Sequence, residues 1–181
     1  SWRWIFVAQA AIGAVGWIGV FRLPETLRID ITGTLADGVY AKDVILSVIA
    51  RLSVNGATNK VIEFSGPVVD GMSMAERMTL CNMAVEAGAT CGICMPDRVT
   101  AEYLWPFIHN SYDTIDDAVE EFSLLHSDED AFFEDIIEID VSSLEPQTTI
   151  KYKPDQVVNI TSLKDIRIDQ VYIGSCTNGR I

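Results

Sequence analysis

Two hydrophobic periods alternate along this chain, and that alternation limits the folds open to it more than any other feature. Leu27, Ile29 and Ile31 alternate with Arg28, Asp30 and Thr32, the period-two pattern of a strand with one buried face. Beyond the turn signal Asp37-Gly38, apolar residues recur at Val44, Ile45, Val48, Ile49 and Leu52. That spacing predicts an amphipathic helix over 41–52. Asn55-Gly56 marks a turn, Lys60 to Phe64 a short strand, and Ser65-Gly66-Pro67 its end. Strand, helix and strand in succession predict an α/β class with a layered sheet, parallel or mixed.

The same rhythm continues. Ser73 and Glu76 stand at capping-box spacing, so a helix is predicted from there to about Ala87, closed by Gly88. Met74, Met78, Cys81 and Val85 are its expected core contacts. Thr90 to Met95 predicts a buried strand ended by Pro96-Asp97, and 100–109 and 116–125 read as helices. Ile136 to Val141 alternates as a strand. Glu145-Pro146 and Lys153-Pro154 mark an irregular connector. Val171 to Ile173 predicts a last strand, running into a loop of small residues, Gly174-Ser175-Cys176-Thr177-Asn178-Gly179-Arg180. There is no internal repeat.

Charge narrows the partners. The 181 residues carry a net charge of −13, which argues against nucleic acid and against anionic membrane surfaces. The excess is local. Between Asp113 and Asp140 lie 12 acidic residues and no Lys or Arg, and the remainder holds 14 acidic against 13 basic residues. This block reads as a solvated face, so it bears little on the charge of a substrate. The run Trp4 to Phe21 is uncharged for 18 residues, the length of a short membrane span. Gly13, Gly16 and Gly19 interrupt it, and a buried helix is the reading adopted. There is no leading Met and no convincing cleavage site, which weakens a signal peptide. Four cysteines are too sparse for a disulfide scaffold, so they read as thiols in a reducing, cytoplasmic setting.

Few residues offer chemistry. Cys176 sits in a turn of small residues that lets backbone approach a cofactor closely, and N–H groups there can bond to cluster sulfides. On the residues alone a buried or idle thiol in a strand-to-helix turn is the plainer reading. Cys91-Gly92-Ile93-Cys94 is a C-x-x-C without a second ligand pair, and on a strand its thiols point to opposite faces. It reads as two ordinary buried cysteines, not as a metal site. Asn82 and Glu86 are four apart on the helix, about 40° around its axis. An amide and a carboxylate so placed can orient a hydroxyl and hold its proton; a solvated helix face is the plainer reading. His109 and His126 are isolated and receive no role. There is no G-x-S-x-G, P-loop or G-x-G-x-x-G.

Taken together, PETLRIDITGTLADGVYAKDVIL (24–46), GATNKVIEFSGP (56–67), GMSMAERMTLCNMAVEAGAT (71–90), MPD (95–97) and YIGSCTNGR (172–180) resemble the aconitase superfamily. The likeness is to the branch of 3-isopropylmalate dehydratase and homoaconitase large subunits. The resemblance implies an aconitase-like α/β domain and hydro-lyase chemistry on a small hydroxy acid. It implies a [4Fe-4S] cluster with Cys176 as one of three cysteine ligands, and Asn82 and Glu86 as active-site residues close to it. It also implies a small-subunit partner. The family's downstream C-x-x-C and its upstream Asp-Ser-His segment are not in these 181 residues, and 1–21 match poorly. The chain therefore reads as a middle fragment. Residues 1–27 would end a preceding domain, 28–160 form a central domain, and 161–181 open the cluster-bearing one. Alone it is expected to be inactive and to lack an intact cluster. Homoaconitate or a methylmalate as substrate, and a non-catalytic module derived from the family, remain open alternatives.

Overall fold

The computed structural model describes residues 25–150, 152–164, 166–172, 174 and 177. The apolar run 4–21 and Cys176 lie outside the described residues.

Four strands form a parallel sheet: β1 (Glu25–Thr32), β2 (Lys60–Ser65), β3 (Cys91–Cys94) and β4 (Asp135–Asp140), in the order β3-β2-β1-β4. The class is α/β, as the alternating periods require. In register, Ile29 stands beside Phe64 on one side and Ile137 on the other. Leu27, Ile29, Ile31, Ile62 and Phe64 therefore share one face and are buried. Two helices cover it: α1 (Ala41–Leu52) with Val44, Ile45, Val48 and Ile49, and α3 (Met74–Met83) with Leu80 and Met83. A short helix α2 (Pro67–Asp70) follows β2, with Pro67 in its first turn, where a missing N–H costs nothing.

The opposite face is polar. Arg28 donates from Nε to Asp30 at 2.9 Å and to Ser65 at 3.1 Å, and its guanidinium lies over the Phe133 ring. Glu63 is buried and accepts a hydrogen bond from Ser127 at 2.6 Å. Helices α4 (Arg98–Ile108) and α5 (Ile115–Ser123) pack against each other between β3 and β4. All 12 acidic side chains of 113–140 are exposed, as the charge block suggests. Among the described residues no helix is long and apolar enough to cross a membrane.

Three expectations need correction. The connector is not irregular throughout: β5 (Gln147–Thr149) and β6 (Val157–Asn159) pair antiparallel. The buried carboxylate of Asp43 in α1 accepts from the Gln147 N–H at 2.6 Å, which fastens the hairpin to the helix. Val171 and Tyr172 form no strand and are exposed; a short apolar run becomes a strand only where a neighbouring backbone completes its ladder. Finally, β3 is an edge strand rather than a buried one, with Cys91 and Ile93 exposed.

Ile29 is fully buried at the centre of the sheet. Ile29→Ala is expected to lower unfolding free energy by about 2–5 kcal/mol, read from the midpoint shift in urea titration.

Candidate active site

Helix α3 carries both Asn82 and the approach to Glu86, so its anchoring comes first. Its N-terminus is a complete capping box. The Ser73 side chain accepts from the Glu76 N–H at 3.4 Å, and the Ser73 N–H donates to Glu76 Oε2 at 2.9 Å. One turn on, Arg77 is buried to 3% exposure. Its guanidinium donates to both Asp97 oxygens, at 2.8 and 2.7 Å, and to the carbonyls of Met72 and Asp70 at 3.1 and 3.0 Å. Asp97 also caps α4, accepting from the Thr100 N–H at 3.2 Å. Burial pushes the Asp97 carboxyl up, but the Arg77 guanidinium and the α4 N–H groups outweigh it and hold it below its ordinary value.

The helix turns into a 3₁₀ segment at Ala84–Ala87 and closes at Gly88. Gly88 has φ +86°, a left-handed conformation that glycine reaches without strain, and it caps the helix as its sequence position suggests. The change of helix type matters for the site. A 3₁₀ turn rotates about 120° per residue, so Glu86 lies about 80° around the axis from Asn82 rather than about 40°. Both side chains are exposed. The core stripe also differs from expectation. Leu80, Met83, Ala84 and Ala87 are buried, Met74, Met78 and Cys81 are half-buried, and Val85 is exposed. Arg77 occupies the inward position that a purely apolar pattern assigns to its neighbours.

Asn82 meets the far end of the chain. Thr177 donates from its hydroxyl to Asn82 Oδ1 at 2.8 Å. These residues are 95 positions apart, and Thr177 directly follows Cys176. Thr177 thus reaches the end of α3, while Cys176 lies outside the described residues.

The aconitase family (aconitate hydratase) matches residues 15–181. The chain belongs to that family. The "3-isopropylmalate dehydratase large subunit" of Geobacter metallireducens is 58% identical over 170 residues. Proteins of the same name from Geobacter sulfurreducens and Methanopyrus kandleri are 56% and 47% identical over 170 and 172 residues. The alignments cover 94%, 94% and 95% of this chain and 40%, 40% and 38% of those proteins, respectively. The chain therefore spans about 40% of the length of the curated relatives it matches.

Within this aconitase-family chain, other candidate groups fall into place. Cys91 and Cys94 point to opposite faces of β3, as strand geometry requires: Cys91 is exposed, while Cys94 faces α3 with its sulfur 3.6 Å from that of Cys81. Cys91 is thus not the buried residue its apolar neighbours suggested. Among the described residues no group of three His, Cys, Asp or Glu side chains is placed to hold a metal ion. His126 bonds to the Pro96 carbonyl and His109 to that of Trp105. A cavity of about 370 Å³ with mixed polar and apolar walls lies at the end of β2, lined by Glu63, Phe64, Ser65, Val69, Arg77, His126 and others. Neither Asn82 nor Glu86 lines it, so it is separate from the candidate site.

Sequence reading missed the part that Arg77 and Asp97 play. A lone arginine in a helix reads as a surface residue, and only the partner 20 positions away reveals otherwise. The Asp97 pKa is lowered on folding, so its contribution to stability is complete above its ordinary value of 3.8 and is lost as pH falls through the depressed folded value. Urea titrations across that acidic window should show this loss. Asp97→Asn should be less stable than the parent at neutral pH, and its stability should depend less on acid.

Proposed function

We propose that this chain is the central part of the large subunit of a [4Fe-4S]-dependent hydro-lyase. The enzyme would convert 2-isopropylmalate to 3-isopropylmalate by removing water and adding it back. The observation that carries this reading is the Thr177–Asn82 hydrogen bond, which brings the residue that follows Cys176 in the sequence onto Asn82, four positions before Glu86. The names of the relatives supply the substrate and imply a small subunit as partner. The few cysteines support a cytoplasmic setting.

The donor set bears on the cluster. Of the four cysteines, Cys81 and Cys94 face each other and Cys91 sits on the far side of β3. The resemblance to the family assigns Cys176 as one thiolate ligand, in a region 161–181 that would open the cluster-bearing domain. A four-iron cluster takes three or four, so the remaining thiolates would come from outside these 181 residues. When bound, such a cluster supplies a Lewis-acidic iron. The proposal assigns two tasks to this chain's own residues. The Glu86 carboxylate takes the proton from the attacking water and returns one to the departing hydroxyl. The Asn82 amide, its carbonyl oxygen already accepting from Thr177, keeps two N–H donors to orient that hydroxyl.

In the complete two-subunit enzyme, Glu86→Gln should lower kcat by about 10²–10⁴-fold with iron and sulfide content unchanged. Cys176→Ser should instead lose iron and sulfide. Parental turnover in the first variant, or parental iron in the second, would refute the assignment.

The 181-residue polypeptide, reconstituted anaerobically with iron and sulfide, should bind well under about four irons per chain and show no dehydratase turnover. Stoichiometric cluster with turnover would contradict the single-thiolate argument.

A further inference from the structure

Cys81 in α3 and Cys94 at the end of β3 hold their sulfurs 3.6 Å apart. We propose that this pair is a redox-active dithiol, a site where a peroxide oxidises the two thiols to a Cys81–Cys94 disulfide. It is distinct from the C-x-x-C of the sequence, and it does not rest on the hydro-lyase reading.

The fold builds the pair. Gly92 and Cys94 share the face of β3 turned toward α3. A Cβ at Gly92 would stand 2.8 Å from the Cys81 Cα, so the absence of a side chain there lets the helix backbone settle against the strand. Two short side chains then meet across the contact. A disulfide needs about 2.05 Å between sulfurs, and rotations about χ1 at two cysteines act directly on that gap. Cys91 points the other way, so no comparable contact exists within the C-x-x-C.

The surroundings favour reaction over inert packing. The hydrogen bond with Cys81 and burial push the Cys94 thiol up, against the nearby Arg77 cation, which pulls it down, so Cys94 keeps its proton while Cys81 is the thiolate partner. The hydrogen bond from Cys94 holds the Cys81 thiol below its ordinary value despite burial. Both cysteines are half-buried rather than sealed in the core. The Cys81 thiolate attacks the peroxide O–O bond, which breaks to give a sulfenic acid and, after protonation, water. Cys94 sulfur then attacks the Cys81 sulfur. The S–OH bond breaks, and hydroxide leaves with the Cys94 proton as a second water. Two thiols lose two electrons, and one hydrogen peroxide becomes two waters.

The test exposes the full chain to hydrogen peroxide, alkylates the remaining thiols, and maps the digest by mass spectrometry. The expected product is a peptide containing Cys81 joined to one containing Cys94, absent after reduction. It should persist in Cys91→Ser and disappear in Cys81→Ser and Cys94→Ser. Because the parental chain itself gives the decisive map, failure of a variant to fold does not blunt the test. A Cys91–Cys94 link in place of this one would overturn the proposal. So would oxidation confined to Cys91 or Cys176 while Cys81 and Cys94 stay alkylatable.

Discussion

A buried guanidinium decides where the candidate site stands. Arg77 is the most deeply buried charged side chain among the described residues, and removing such a charge from water is costly unless its donors are satisfied. Here they are. The carbonyls of Asp70 and Met72 and the two oxygens of Asp97 surround it. The same bonds join three pieces of chain: the turn after α2, helix α3, and the segment leaving β3. Helix α3 cannot roll or slide without breaking several of them at once. Its far end, with Asn82 and the 3₁₀ turn of Glu86, inherits that fixed position.

The sheet beneath α3 has two unlike faces. Its apolar face is sealed by α1 and α3, the usual condition of a parallel sheet. On the other face, charges are neutralised locally: Arg28 with Asp30 and Ser65, Glu63 with Ser127. Cys91, Ile93 and Ile136 remain exposed there. Asn82 and Glu86 are exposed as well, and the contact that reaches Asn82 comes from Thr177, far along the chain. On the proposed reading this is coherent. The central domain presents its chemistry at an edge, and other segments of the subunit complete the site around it.

Most of the fold was legible because its signals are local. The strand of Leu27, Ile29 and Ile31, the helix of Val44 to Leu52, the Ser73–Glu76 cap and the Gly88 stop each depend on residues within a few positions of one another. The errors share a different cause. The hairpin of β5 and β6 depends on Asp43, 104 positions from Gln147. The exposure of Cys91 depends on β3 being an edge, and the twist between Asn82 and Glu86 on a change of helix type. Val171 and Tyr172 had the composition of a strand but no ladder to join. None of these can be read from a window of neighbouring residues.

The sequence by itself determined the α/β class, the helix caps, the solvated acidic block and the resemblance to the aconitase superfamily. These follow from periodicity, local hydrogen bonding and motif spacing, which do not require distant partners. Only the tertiary structure decided that the sheet is wholly parallel and that Arg77 is buried. It also decided that Cys94 meets Cys81 rather than Cys91, and that Thr177 reaches Asn82. Each of those is a pairing between distant segments. Desolvation and hydrogen-bond satisfaction select such pairings once the chain has collapsed, and no local pattern encodes them.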